Sequence, residues 1–108
     1  MAVIFSTTDC RGNTVVLHTA AWQHICKRHP EVISFQDGMR QVIEHPHVII
    51  QDRAGNCHYC RLRESGEVYA GSYLKVVVKS SKGFWCVATA FFVDYPGEGK
   101  VVWALKST

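Results

Sequence analysis

The sequence predicts an α+β domain: an N-terminal β-hairpin and two helices packed on a curled antiparallel β-meander. Three observations carry that prediction. Apolar residues at helical spacing fall in two adjacent runs, each closed by a proline, Pro30 and Pro46. From residue 47 onward the chain reads as short apolar stretches rich in β-branched and aromatic residues. The separators between them, "RAGN", "ESGEVYAG", "SKG" and "YPGEG", are short and turn-rich, which favours antiparallel neighbours over crossover units.

The elements follow in order. "VIF" and "TVVLHT" flank "TDCRGN", whose Gly12 and Asn13 signal the turn of a hairpin. Thr19 is placed to N-cap a helix starting at Ala20. That helix ends near His29, because the residue before a proline is driven out of helical geometry. A second helix covers "FQDGMRQVIE", with Phe35, Met39, Val42 and Ile43 on one face. The strands are then "HVIIQD", "CHYCRLR", "SYLKVVVKS", "FWCVATAFFV" and "KVVWAL". A chain of 108 residues fits one domain, 1–108, and 47% apolar content supplies a core without staples.

Composition narrows the function. No stretch approaches the roughly 18 consecutive apolar residues of a membrane span. "MAVIFSTTDC" has neither the basic start nor the apolar run of a signal peptide, so the cytoplasm is the expected location. Five cysteines in no disulfide pattern read as reduced thiols. A net charge of +3 permits a nucleic-acid partner without demanding one. Cys57, His58 and Cys60, with His45 and His47, are the residues on which a zinc site would draw. Cys57 and Cys60 fall on opposite faces of a strand and no second cysteine pair has zinc spacing, so neither metal nor cofactor is expected. Cys26 and His24, two apart on a helix, do not face each other.

The densest chemistry lies in "WQHICKRHPE", residues 22 to 31. At helical pitch Trp22, Ile25, Cys26 and His29 form one stripe, and His24 and Arg28 share the opposite side. The ordinary reading makes His29 a half-buried residue bonded to a carbonyl at the helix end, with Lys27 and Arg28 complementing the helix dipole. The chemical reading is RNA cleavage without metal. It needs a base for the 2′-hydroxyl, an acid for the leaving 5′-oxygen, and cations for the phosphorane; His24, Arg28 and His29 contain that toolkit. On the strands, Tyr59, Arg61 and Arg63 share one face, as do Tyr73, Lys75 and Lys79. Such faces suit phosphates and unpaired bases, although polar-out alternation alone also yields them. In "FWCVATAFFV", strict alternation sets Trp85, Val87, Thr89 and Phe91 opposite Cys86, Ala88, Ala90 and Phe92, with Thr89 the lone hydroxyl.

"WQHICKRHPE", then "IEHPHVI", then "YLKVVV" and "VATAFF", together resemble the barnase–EndoU–colicin–RelE-like (BECR) superfamily of RNases, nearest its phage-associated and polymorphic-toxin branches. The resemblance spans roughly residues 15 to 105. It implies a metal-independent endoribonuclease that attacks through the RNA 2′-hydroxyl and leaves a 2′,3′-cyclic phosphate. By motif position His24 and Arg28 match the helix histidine and its basic partner. His29 matches the second histidine, Thr89 the strand hydroxyl and, more loosely, Lys75 a strand lysine. In that reading His24 is general base or acid and His29 the alternate or partner proton carrier. Arg28, Arg61 and Lys75 neutralise phosphate, Thr89 orients the scissile group, and Tyr59, Arg63 and Tyr73 complete the RNA surface. The partners implied are RNA and an antitoxin or immunity protein. The alternatives are a non-catalytic RNA- or ribosome-binding module, or a toxin–antitoxin partner-binding protein, on the same scaffold; the oligomeric state stays open.

Overall fold

A computed structural model describes residues 2–81 and 83–106. The "SKG" turn falls in part on Lys82, outside the described residues. The hairpin forms from β1 (Val3–Thr8) and β2 (Thr14–His18). Its turn is organised by Asp9, whose carboxylate accepts from the backbone N–H groups of Arg11 (2.9 Å) and Asn13 (2.8 Å), while left-handed Gly12 reverses the chain.

Helix α1 (Thr19–Arg28) starts directly after β2. Its cap differs from the expected one. His18 occupies the N-cap without a side-chain bond, and the Thr19 hydroxyl instead donates to the Ala2 carbonyl at 3.3 Å, tying the helix start to the entry of β1. Ile25 is fully buried, and Pro30 stops the helix with Lys27 and Arg28 in its last turn. A 3₁₀ segment, Pro30–Phe35, follows and buries Val32. Helix α2 (Gln36–Glu44) then buries Met39, Val42 and Ile43.

Strands β3 (Val48–Gln51), β4 (Cys57–Leu62), β5 (Tyr73–Ser81), β6 (Phe84–Val93) and β7 (Lys100–Ala104) join the hairpin in one seven-stranded sheet. The order is β1-β2-β6-β5-β4-β3-β7. The meander runs from β3 to β6. Beyond it, β2 meets β6 in a short parallel pair at Val15–Trp85 and Val16–Cys86, so the sheet is mixed, and β7 lies antiparallel to β3 at the far edge. The long excursion between β2 and β6 is what lets those two strands run in the same direction.

Both helices cover one face of the sheet. Ile25, Met39 and Ile43 share a core with Leu17, Ile49, Tyr59, Leu74 and Val76. The other face is crossed by the 94–99 loop, because β6 ends beside the start of β5 while β7 begins beside the end of β3. On that face Ile50, Cys60, Lys75 and Val77 are buried, with Gly97 over Lys75 and Gly99 over Ile50. The crossing requires glycine. At Gly99 (φ +142°) a Cβ would lie 2.7 Å from the Gln51 carbonyl oxygen and 2.6 Å from Ile50 Cγ2. Gly99→Ala is therefore expected to cost about 3 kcal/mol in urea unfolding. Gly12→Ala, equally left-handed but with open space around it, is expected to cost only about 1 kcal/mol. No helix among the described residues is long and apolar enough to cross a membrane.

Candidate functional site

A register shift in β6 decides which side chains can meet. Val78 pairs with Val87 but Val77 pairs with Thr89, leaving Ala88 as an extra residue. Such a bulge re-aims everything beyond it. Trp85, Val87, Ala90 and Phe92 consequently face the helices, whereas Cys86, Thr89 and Phe91 face away with Val77 and Lys75. Strict alternation would have kept Thr89 and Phe91 beside Trp85 and Val87; the bulge overturns that expectation.

Because β2 pairs only with the first part of β6, the second part has a free edge, and the end of α1 comes to lie against it. His29 caps α1 there. Its ring stacks on Phe91 with centroids 5.1 Å apart, and its Nδ1 is 3.4 Å from Glu31 Oε1. With Glu31 on Nδ1, Nε2 is left free to carry a proton. Across β5 and β6, Lys75 is the direct partner of Phe91, and its Nζ stands 6.0 Å from the centre of that ring. Thr89, two residues before Phe91 on the same face, is the diagonal neighbour of Lys75, and half-buried Tyr73 precedes Lys75 by two.

Lys75 is the unusual member. It is 8% exposed, and among the described residues no carboxylate forms an ion pair with it. Its β4 neighbour is the buried Cys60, whose thiol is pushed up to about 11 by burial, with the Lys75 charge pulling the other way. With its stem buried and no carboxylate on its ammonium, Lys75 can offer its charge to a bound anion. An imidazole and a cation thus meet the same Phe91 ring, with the Thr89 hydroxyl on the same strand face, a set of groups whose chemistry suits a phosphate and a proton transfer beside it.

The remaining predicted residues lie elsewhere. His24 and Arg28 are exposed, about 140° and 100° round α1 from His29, with no hydrogen bond or ion pair among the described residues. Tyr59 is fully buried with its hydroxyl on Asp9, which removes it from any RNA surface. Arg61 pairs with Leu74 and Tyr59 with Val76, both on the helix face, so the two basic–aromatic strand faces are on opposite sides of the sheet and do not form one surface. Arg61 donates to the His45 carbonyl at 2.7 Å and approaches Glu64. Arg63 donates to the Val68 carbonyl, pairs with Glu67 at 3.4 Å and lies over Phe35. Both line a polar groove of about 220 Å³ beside α2 whose glutamates already answer their charge.

Glu31 and Phe91 are the members that sequence reasoning missed, although both were in view, one in "RHPE" and the other in "TAFF". Cys57 faces the helices and Cys60 faces away, as strand alternation requires, and among the described residues no three His, Cys, Asp or Glu side chains gather into a potential metal site. Compared with known proteins, the chain matches no family model, no curated protein and no solved structure.

Proposed function

We propose that the protein is a small metal-independent endoribonuclease of the barnase–EndoU–colicin–RelE-like kind, of phage-associated or toxin type. It acts in the cytoplasm, with RNA as substrate and an antitoxin or immunity protein as partner. The observation that supports the proposal is Lys75, its stem buried and its ammonium without a carboxylate among the described residues, on the strand face of Thr89 and beside the Phe91 ring on which His29 stacks. In this reading Lys75 takes a non-bridging phosphate oxygen and offsets the charge that grows in the phosphorane. His29, steadied by Glu31 and Phe91, accepts the 2′-hydroxyl proton through Nε2 as that oxygen bonds to phosphorus; the bond from phosphorus to the 5′-oxygen breaks, and the departing oxygen takes its proton from solvent water. Thr89 donates a hydrogen bond to the scissile group, and exposed Arg28, beside His29, draws the strand in. His24, on the far side of the helix, is left without a chemical role. One imidazole in place of two puts more of the work on charge neutralisation.

The test uses labelled RNA in EDTA between about pH 5 and 8. Cleavage to 2′,3′-cyclic ends is expected, lowered about a hundredfold by His29→Ala and barely altered by His24→Ala. Intact RNA throughout, or wild-type cleavage by His29→Ala, sinks the proposal. A second reading, RNA binding without cleavage, draws on the same stack, since Phe91 and Tyr73 beside a lysine also suit base stacking. Salt-dependent RNA retention with no cut product would select it.

A further inference from the structure

A second cluster lies on the face that carries Lys75, toward the other end of β6. Cys86 Sγ is 3.6 Å from His18 Nε2, and Lys79 is the cross-strand partner of Cys86. His18 Nδ1 is closed off from solvent and has no hydrogen-bond partner among the described residues. Cys86 and His18 line a pocket of about 470 Å³ walled mainly by Val3, Val16 and Phe84, a size ordinary for a small-molecule site. Phe84 stands 73% exposed at its rim. The proposed RNA chemistry uses none of these groups.

Two features converge on one chemistry. A thiol beside an imidazole is a nucleophile–base pair. The other cysteines lack that arrangement: Cys57 and Cys60 are buried, and burial pushes the thiols of Cys10, Cys26 and Cys60 up, away from the reactive thiolate. The apolar walls select an apolar body.

We propose that Cys86 is a site of S-acylation that takes the acyl group of an apolar acyl thioester, with His18 as the base. His18 Nε2 accepts the Sγ proton as the sulfur attacks the thioester carbonyl carbon. The carbon–sulfur bond of the donor breaks, and the departing thiolate takes the proton back from His18. The products are S-acyl-Cys86 and a free thiol, with no change of oxidation state. Lys79, on the same face, meets the negative charge that gathers on the carbonyl oxygen, and the acyl chain fills the pocket between Val16 and Phe84.

The full chain is incubated at neutral pH with the octanoyl thioester of N-acetylcysteamine, followed by intact-mass measurement and peptide mapping. One octanoyl group on Cys86 is expected, with the acetyl thioester of the same thiol reacting about tenfold more slowly for want of buried chain. His18→Gln is expected to slow acylation about a hundredfold. Label spread over several cysteines, equal rates for the two chain lengths, or a His18→Gln protein that reacts as fast as wild type would each overturn the proposal. The chain-length comparison uses wild-type protein, so it decides the matter even where His18→Gln folds poorly.

Discussion

Lys75→Met is expected to raise the melting temperature while lowering RNA cleavage about a hundredfold. The two effects have opposite signs for one reason. In the free protein Lys75 is 8% exposed and its ammonium has no carboxylate partner among the described residues, with Phe91 on one side, Cys60 on another and Gly97 close above it. Replacing it by an apolar side chain of similar length keeps the packing of the buried stem and removes the partial desolvation of an unpaired charge, worth about 1 kcal/mol. The same replacement takes away the cation that the phosphorane needs. A lysine retained for packing alone would behave differently: its replacement would alter stability and leave cleavage as it was. Thermal unfolding and single-turnover cleavage of the same preparation check both halves. Lower stability together with unchanged cleavage would remove Lys75 from the site.

The sequence made the elements legible because each is closed by a local signal. Pro30 and Pro46 end the helices, Gly12 turns the hairpin, and β6 starts and stops where its apolar run does. What it concealed depends on pairing between distant strands. The faces of β4 and β5 were each assigned correctly by alternation, yet only the register Tyr59–Val76 and Cys60–Lys75 reveals that Tyr59 and Lys75 point opposite ways. The bulge at Ala88 is likewise invisible locally, and it alone brings Thr89 and Phe91 round to Lys75. His29 could be placed at the end of the buried stripe. Its partner Phe91, more than sixty residues on, could not, because that contact depends on β2 leaving the edge of β6 uncovered.

Asp9→Ala is expected to lower stability by about 3 kcal/mol, the largest loss from any single polar substitution here. Asp9 is 5% exposed and accepts from the Tyr59 hydroxyl, from the backbone of Arg11 and Asn13, and from the Asn13 amide. Removing it makes the Tyr59 O–H an orphan donor in the core, with only the Arg11 guanidinium left beside its oxygen. Adding Tyr59→Phe removes that orphan, so the double variant is expected to fall short of the summed single losses by about 1 kcal/mol. Burial pushes the Asp9 carboxyl up, but the bonds from Tyr59, Asn13 and Arg11 outweigh it and hold it below the usual carboxylate value. The unfolded chain therefore protonates Asp9 first as pH falls. The stabilisation is complete above the usual carboxylate pKa of about 3.9 and is lost as pH drops through the lower folded value. His47, depressed by burial and then by Arg61, gives an earlier step of the same sign, complete above about pH 6.5 and declining below it. Urea unfolding at neutral, mildly acidic and strongly acidic pH separates the two steps, and Asp9→Ala should lack only the second. Well below its melting temperature Asp9→Ala should still cut RNA, because Asp9 holds the hairpin to the helix face of β4, whereas Cys60 and Lys75 look out from the other. The pair of variants thus sorts support from chemistry: Asp9→Ala loses stability and keeps cleavage, and Lys75→Met does the reverse.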